Sequence, residues 1–189
     1  MSHSEAYFEY LRGRSLRALL VRRWWLYPRI NRHLHGRVLD VGCGIGDMLR
    51  YRPNTVGVDI NPATVAWCRS QDLDARIMEP DRLLFGDAEF QGVILDNVLE
   101  HLERPSALLR QIRRVLSPDG VVVVGVPGRC GYTKDPDHKV FYDEPSLVAL
   151  MRDHGFVHAT WFYQPFRSAW LDLRMRQYCV YGVFRRERD

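Results

Sequence analysis

The ten residues Val38-Leu39-Asp40-Val41-Gly42-Cys43-Gly44-Ile45-Gly46-Asp47 constrain this chain more than any other stretch. An apolar run of strand character leads straight into three alternate glycines, and a helix is expected from about Met48. Glycine lets the backbone turn sharply and approach a bound ligand, where a Cβ would collide with it. The helix start adds unpaired N–H groups aimed at the same spot. The segment therefore predicts a nucleotide-type pocket near the first strand of an α/β sheet.

The alternation continues downstream. Strand-like runs recur at 55–59, 74–78, 93–95 and 121–124, and the runs 156–163 and 177–185 finish the chain. Helices are expected over 45–50 and from Pro62, with Asn61 as N-cap and Pro62 in the first turn. Further helices are expected over 105–116, closed by Ser117-Pro118-Asp119-Gly120, and over 144–153, ending at Gly155. Val121–Val124 is an unbroken β-branched run, as befits a central parallel strand covered on both faces. The repeated units predict a doubly wound parallel sheet that binds ligands at the carboxyl ends of its strands. Residues 5–34 read as helical, with Gly13 dividing them and Pro28 opening a further short helix.

A length of 189 residues suits one domain with a real core. No apolar run approaches the ~18–20 residues that cross a bilayer, and no signal-peptide pattern precedes the glycine turn. Cys43, Cys68, Cys130 and Cys179 are scattered without a Cys-x-x-Cys pair. That argues against a zinc site or disulfide framework and suits a reducing cytoplasm. Cys43 reads as a small buried filler rather than a reactive thiol. The net charge of +4 is uneven. Residues 1–37 carry Arg12, Arg14, Arg17, Arg22, Arg23, Arg29, Arg32 and Arg37 against Glu5 and Glu9. This fits a solvated helix face, or attraction to a phosphate-bearing substrate, lipid headgroups or nucleic acid.

Asp47 stands where a dinucleotide fingerprint would place its last glycine, and no Gly-Lys-Ser/Thr follows to make a phosphate loop. Asp59 ends the second strand, nineteen positions after Asp40. An acid at that tip can accept both hydroxyls of a ribose. Val38–Asp47, Val56–Asn61 and Asn97–Pro105 together resemble the motifs of class I S-adenosylmethionine-dependent methyltransferases. The likeness covers roughly 38–157 in order. It includes Arg114-Val115-Leu116-Ser117-Pro118-Asp119-Gly120, similar to the family's Arg-Val-Leu-x-Pro-Gly-Gly turn with Asp119 in place of the first glycine. The resemblance implies a Rossmann-like, mostly parallel seven-stranded sheet with helices on both faces. It implies that 38–189 form the cofactor-binding methyltransferase domain and 1–37 a helical extension or lid. Asp40 and Gly42 are expected to face the methionine end of S-adenosylmethionine, with Gly44 and Gly46 completing the loop. Asp59 is expected to hold the ribose, Ile60 and Asn97 to border the cofactor, and Glu79 to stand beside the adenine, with Asp81 as its rival neighbour.

Methyl transfer from a sulfonium needs the acceptor positioned behind the methyl, and a hydroxyl acceptor also needs a base. Candidate bases follow the fourth and fifth strands. They are Glu100 and His101 in Asp96-Asn97-Val98-Leu99-Glu100-His101, and His138 in Lys134-Asp135-Pro136-Asp137-His138. His138 is the first expectation for base or acceptor contact, and His101 the second. The alternative for His101 is bracing the next helix. Asp135, Asp137 and His138 could instead bind a divalent metal, but their spacing is too loose to be specific, and no metal ligand is assigned.

Tyr7, Tyr10, Arg14, Arg17, Trp24 and Trp25, with the segment Gln164-Pro165-Phe166-Arg167-Ser168-Ala169-Trp170, interleave aromatics and arginines. They suit a sugar, glycan or other small hydroxyl-bearing acceptor, although packing on the sheet is the default for most of these rings. The resulting expectation is a cytoplasmic O-methyltransferase of surface-polysaccharide or secondary metabolism. The main alternative is a quinone- or lipid-type O- or C-methyltransferase at the inner face of the membrane, touching it through the basic N-terminus. A non-catalytic cofactor-binding module and a dinucleotide oxidoreductase are more distant alternatives. Nucleic acid is disfavoured: there is no RNA-binding appendage and no basic stripe beyond the N-terminus.

Overall fold

The computed structural model describes residues 3–187; the side chains at positions 3, 4, 6 and 7, Tyr7 among them, lie outside the described residues. Seven strands form one sheet: β1 Val38–Val41, β2 Thr55–Asp59, β3 Ala75–Ile77, β4 Phe90–Asp96, β5 Leu116–Pro127, β6 Phe156–Gln164 and β7 Cys179–Arg186. The spatial order is β3-β2-β1-β4-β5-β7-β6. β1 to β5 run parallel, while β7 is antiparallel to both β5 and β6. β1 and β2 are buried along their whole length, which explains why they are apolar without alternation. The strand order reverses between β1 and β4, so the ligand crevice of a doubly wound sheet opens at their carboxyl ends.

Helix α4 (Asp47–Tyr51) follows β1 and α5 (Pro62–Ser70) follows β2. Asn61 caps α5 by accepting from Ala63 N, with Pro62 in the first turn, as expected. α6 (Ser106–Val115) follows β4, and α7 (Arg129–Tyr132) and α8 (Glu144–Arg152) lie between β5 and β6. α9 (Ala169–Arg174) joins β6 to β7. Two details depart from the sequence reading. The glycine-turn helix starts at Asp47, because Gly46 is left-handed (φ 78°) and cannot belong to it. Ser117–Gly120 do not separate α6 from β5. Leu116 already pairs with Phe90 while Val121 pairs with Gly92, so the four residues form a bulge inside the strand.

The N-terminal layer comprises α1 (His3–Arg12), α2 (Leu16–Val21) and α3 (Tyr27–Asn31), broken at Gly13 as expected. Between α2 and α3, Arg22–Leu26 make a π-helical turn in which Tyr27 N donates to Arg22 O. Pro28 has no N–H to give to the preceding turn, and the widened turn absorbs it without ending the helix. Leu26, Tyr27, Ile30 and Leu34 share one core cluster with Val38, Ile94, Val123 and Tyr181. Alternate residues Leu39, Val41, Val93 and Leu95 join the cluster on the opposite face. Asp40 and Asp96 continue the Val38 and Ile94 rows, so both carboxylates point into the face covered by the N-terminal helices. Among the described residues no helix is long and apolar enough to cross a membrane.

The packing beneath the glycine turn is tight. A Cβ at Gly57 would lie 2.7 Å from Cys43 Sγ and 2.8 Å from Leu49 Cδ2. Gly57→Ala is therefore expected to lower stability by about 1–3 kcal/mol through overpacking. Urea unfolding checks this, and an unchanged midpoint would contradict the packing.

Candidate active site

Gly42, Gly44 and Gly46 have φ of 75°, 52° and 78°, a left-handed conformation that disfavours other residues. Protein side chains also crowd the loop: a Cβ at Gly42 would stand 2.7 Å from Val98 Cγ2, and one at Gly46 2.7 Å from Leu73 Cδ1. Asp59 fixes the loop. Its Oδ2 accepts from Gly44 N and its Oδ1 from Asn61 N, both at 2.8 Å. One carboxylate thus ties the glycine turn to the tip of β2 and the start of α5. Burial pushes the Asp59 pKa up, and the N–H groups of Asn61 and Gly44 pull it back. The Thr64 hydroxyl and the Ile60 N–H pull in the same direction.

Ile60 is exposed beside Asp59. Met78 N donates to Asp59 O at 3.0 Å, which brings the turn carrying Glu79 against the β2 tip. Glu79 is itself exposed, as is Asp81. Leu11 of α1 is buried, and its Cδ1 would be 3.2 Å from a Cβ at Gly44, so α1 stands over the loop. Phe8 and Arg12 pack on Trp67 of α5 from the same helix. Asp47 holds that layer in place: its Oδ2 accepts from Arg14 at 3.2 Å.

The carboxyl ends of β1 and β4 are strongly acidic. Burial, then the neighbouring Asp96, push the Asp40 pKa up to about 8, against the pull of Arg22; Asp59 and Asp47 add to the rise. Asp96 is the better-partnered acid. It accepts from Arg22, from Tyr181 Oη at 2.7 Å and from Asn97 Nδ2 at 3.0 Å. Asn97 has φ 59°, and its N–H donates to Gly125 O. Asparagine is among the few residues that adopt this conformation readily, so a polar residue is placed at the mouth between β4 and β5.

Beyond Asn97, the 3-10 turn Leu99–His101 meets the loop that follows α7. Lys139 N and Val140 N both donate to Glu100 O. The Glu100 side chain is fully buried and neither carboxylate oxygen has a hydrogen-bond partner. Burial pushes its pKa up to about 8. His101 Nδ1 donates to Asp137 O at 3.3 Å and His138 Nδ1 to Tyr132 O at 3.0 Å, since a carbonyl can only accept. The two rings meet edge to face at 4.8 Å, and Tyr132 stacks on His138. His138 Nε2 faces Glu100 Oε1 at 4.0 Å and Asp135 Oδ2 at 3.9 Å. Burial, then His138, lower the His101 pKa, which leaves its Nε2 lone pair unprotonated at neutral pH.

Residues 7–160 match the family described as the methyltransferase domain. The chain belongs to the class I S-adenosylmethionine-dependent methyltransferase family. A probable S-adenosylmethionine-dependent methyltransferase of Mycolicibacterium smegmatis is 30% identical over 147 residues, covering 69% of this chain and 56% of that protein. A ubiquinone biosynthesis O-methyltransferase of Xanthomonas oryzae is 28% identical over 59% of each chain. This chain thus spans little more than half the length of those two relatives. A crystal structure of a SAM-dependent methyltransferase from Archaeoglobus fulgidus superposes with TM-score 0.73 at 20% identity, over 96% of this chain and all of that one. It has the same fold.

The residues present fit S-adenosylmethionine, the cofactor of this family. The glycine turn offers close approach, the Asp59 carboxylate stands beside it at the β2 tip, and Asp40 ends β1 with a raised pKa that a bound cation would bring down. Asp40, the three loop glycines, Asp59, Ile60 and Asn97 converge on the β1–β4 crevice and the β2 tip, and Glu79 lies on the adjoining turn. The sequence reading missed Arg22 and Tyr181, which lie far from the motifs and reach Asp96 only through the fold. It treated the aromatics mainly as packing, yet Tyr10, Trp24, Phe166 and Trp170 are all more than half exposed. The loosely periodic N-terminal pattern did not distinguish a face covered by the sheet from one left in solvent.

Asp59→Ala removes the loop clamp and the carboxylate expected to hold the ribose. Calorimetric titration with S-adenosylhomocysteine is expected to show at least about tenfold weaker binding, the loss of a charged hydrogen bond being about 1.5–3 kcal/mol. Asp59→Asn, which keeps one acceptor, falls between. Unchanged binding in Asp59→Ala would remove this residue from the cofactor site.

Proposed function

We propose that the chain transfers a methyl group from S-adenosylmethionine to the oxygen of a small or glycan-type hydroxyl acceptor. The observation that carries this reading is the histidine pair beside a buried carboxylate, at the mouth where β4 and β5 end. When bound, S-adenosylmethionine supplies an already activated methyl group. The residues of this chain then have to orient the acceptor, exclude water and take a proton. Asp59 and the glycine loop fix the nucleoside side, and α1 covers it. His101 takes the hydroxyl proton, with His138 packed edge to face against it. His138 is directed inward, with its side chain only 8% exposed. It braces His101, which is the better-placed proton acceptor of the two. This assignment reverses the order expected from sequence.

A reducing, cytoplasmic setting suits this reading, since Cys43, Cys68, Cys130 and Cys179 are all free thiols. A polysaccharide or secondary-metabolite hydroxyl suits the mixture of rings and guanidinium groups around the mouth.

A second reading has its own support. Leu16, Leu20, Trp24, Phe166, Trp170 and Leu173 are exposed, and Trp25 Nε1 donates to Pro165 O, so the two aromatic segments adjoin. Arg17 and Arg23 are exposed within the same N-terminal segment. Such a surface suits a quinone- or lipid-type acceptor presented by an anionic membrane. The ubiquinone O-methyltransferase relative points the same way.

A labelled-methyl assay over a panel of hydroxylated acceptors is expected to find a substrate whose turnover falls about a hundredfold in His101→Ala. Cofactor affinity should stay unchanged. Full activity in that variant would remove the histidine from the chemistry. Sedimentation with anionic vesicles separates the two acceptor classes: binding that Trp24→Ser abolishes favours the membrane reading, and no binding removes it.

A further inference from the structure

Glu100, His101 and His138 are brought together from positions 37 residues apart, and their nearest donor atoms all lie within 4.8 Å of one another. Three features of the cluster are unusual for plain packing. Each histidine gives its Nδ1–H to a backbone carbonyl, Asp137 O or Tyr132 O. Each ring is thereby fixed through Nδ1, and Nε2 is the nitrogen left for another partner. The Glu100 carboxylate is fully buried, yet neither of its oxygens is hydrogen-bonded. A buried polar group without a partner is costly, about 1–3 kcal/mol and more for a carboxylate, so it calls for an occupant of its site.

We propose that Glu100, His101 and His138 form a binding site for one divalent transition-metal ion, with Asp135 at its open edge. Two imidazole nitrogens and one carboxylate oxygen are the donor set that borderline cations such as Zn²⁺ or Co²⁺ take in sites with open positions. Backbone carbonyls that fix each ring through Nδ1–H are the outer partners that metal-bound histidines require. Donors about 2 Å from a shared ion stand roughly 3–3.5 Å apart, so the cluster closes by about 1 Å through side-chain rotation. Asp135 Oδ2, 3.9 Å from His138 Nε2, can supply a further oxygen. Asp135 and His101 are partly exposed and give the ion a way in.

The inference concerns the same cluster as the proposed base and changes its working form. An acceptor hydroxyl on the ion's open position would lose its proton to water more readily, without a free imidazole to take it. Metal binding itself does not depend on which acceptor is methylated.

The test uses the full chain, stripped by dialysis against a chelator and then titrated with Zn²⁺ or Co²⁺. One tightly held ion per chain is expected by elemental analysis after gel filtration, together with visible d–d absorption for Co²⁺ and a raised melting temperature. Glu100→Gln, His101→Ala and His138→Gln should each weaken binding by about a hundredfold or more, beyond the 10–100-fold of outer-sphere losses. His154→Ala, a control in the turn after α8, should not. Circular dichroism confirms folding of each variant, and either histidine variant decides the matter if Glu100→Gln does not fold. Failure to retain any ion, or equal retention by all the variants, overturns the assignment. Neither result touches the free-imidazole reading, which the activity assay judges separately.

Discussion

Asp40 and Asp96 project from neighbouring strands onto one face of the sheet, and two unscreened carboxylates there would be strongly unfavourable. Much of the structure answers that constraint. The π-helical turn carries Arg22 to Asp96, and β7 brings Tyr181 to the same acid. Arg14 reaches Asp47 from the loop after α1. The N-terminal arginines are therefore less a generic basic surface than the sequence suggested. Arg12, Arg14, Arg22 and Arg37 each pair with an acid, and Arg29 donates to the carbonyls of Tyr163 and Pro165. Asp40 receives no such cation of its own and is left with a strongly raised pKa.

The same charge pattern separates the two halves of the site. On the nucleoside side, Asp59 is satisfied by backbone N–H groups and holds the glycine loop rigidly to β2. On the other side, the buried Glu100 carboxylate has no hydrogen-bond partner among the described residues, and the loop after α7 closes over it through Lys139 and Val140. A rigid, satisfied cofactor seat next to an unsatisfied polar cluster fits a domain whose cofactor is common to its family while its acceptor differs between members.

The glycine turn and its Asp59 anchor were legible in the sequence because their chemistry is local. Gly42, Gly44, Gly46 and Asp59 sit on consecutive β–α units, where strand ends and turn residues announce themselves. The acceptor half was not. His101 and His138 were recognised singly, but their shared contact with Glu100 depends on how the 128–142 loop folds back on the turn after β4. Arg22 was one of eight similar arginines until the π-helical turn fixed its direction. The exposed rings of Trp24 and Trp170 share the composition of a packed helix, and only the position of the sheet shows that the described residues leave them largely in solvent.

A crevice lined by Asp40 that seats a cationic nucleoside must couple cofactor binding to proton release. Asp40 stays largely protonated below about 8. A bound cation favours its ionised form, against the opposing charges of Asp47, Asp59 and Asp96 and beside Arg22. The affinity for S-adenosylmethionine, measured by calorimetry between pH 6 and 8 in buffers of different ionisation enthalpy, should rise with pH and release protons. Asp40→Asn should flatten that dependence. An affinity that does not change with pH, with no proton released by the unaltered chain, would contradict the account.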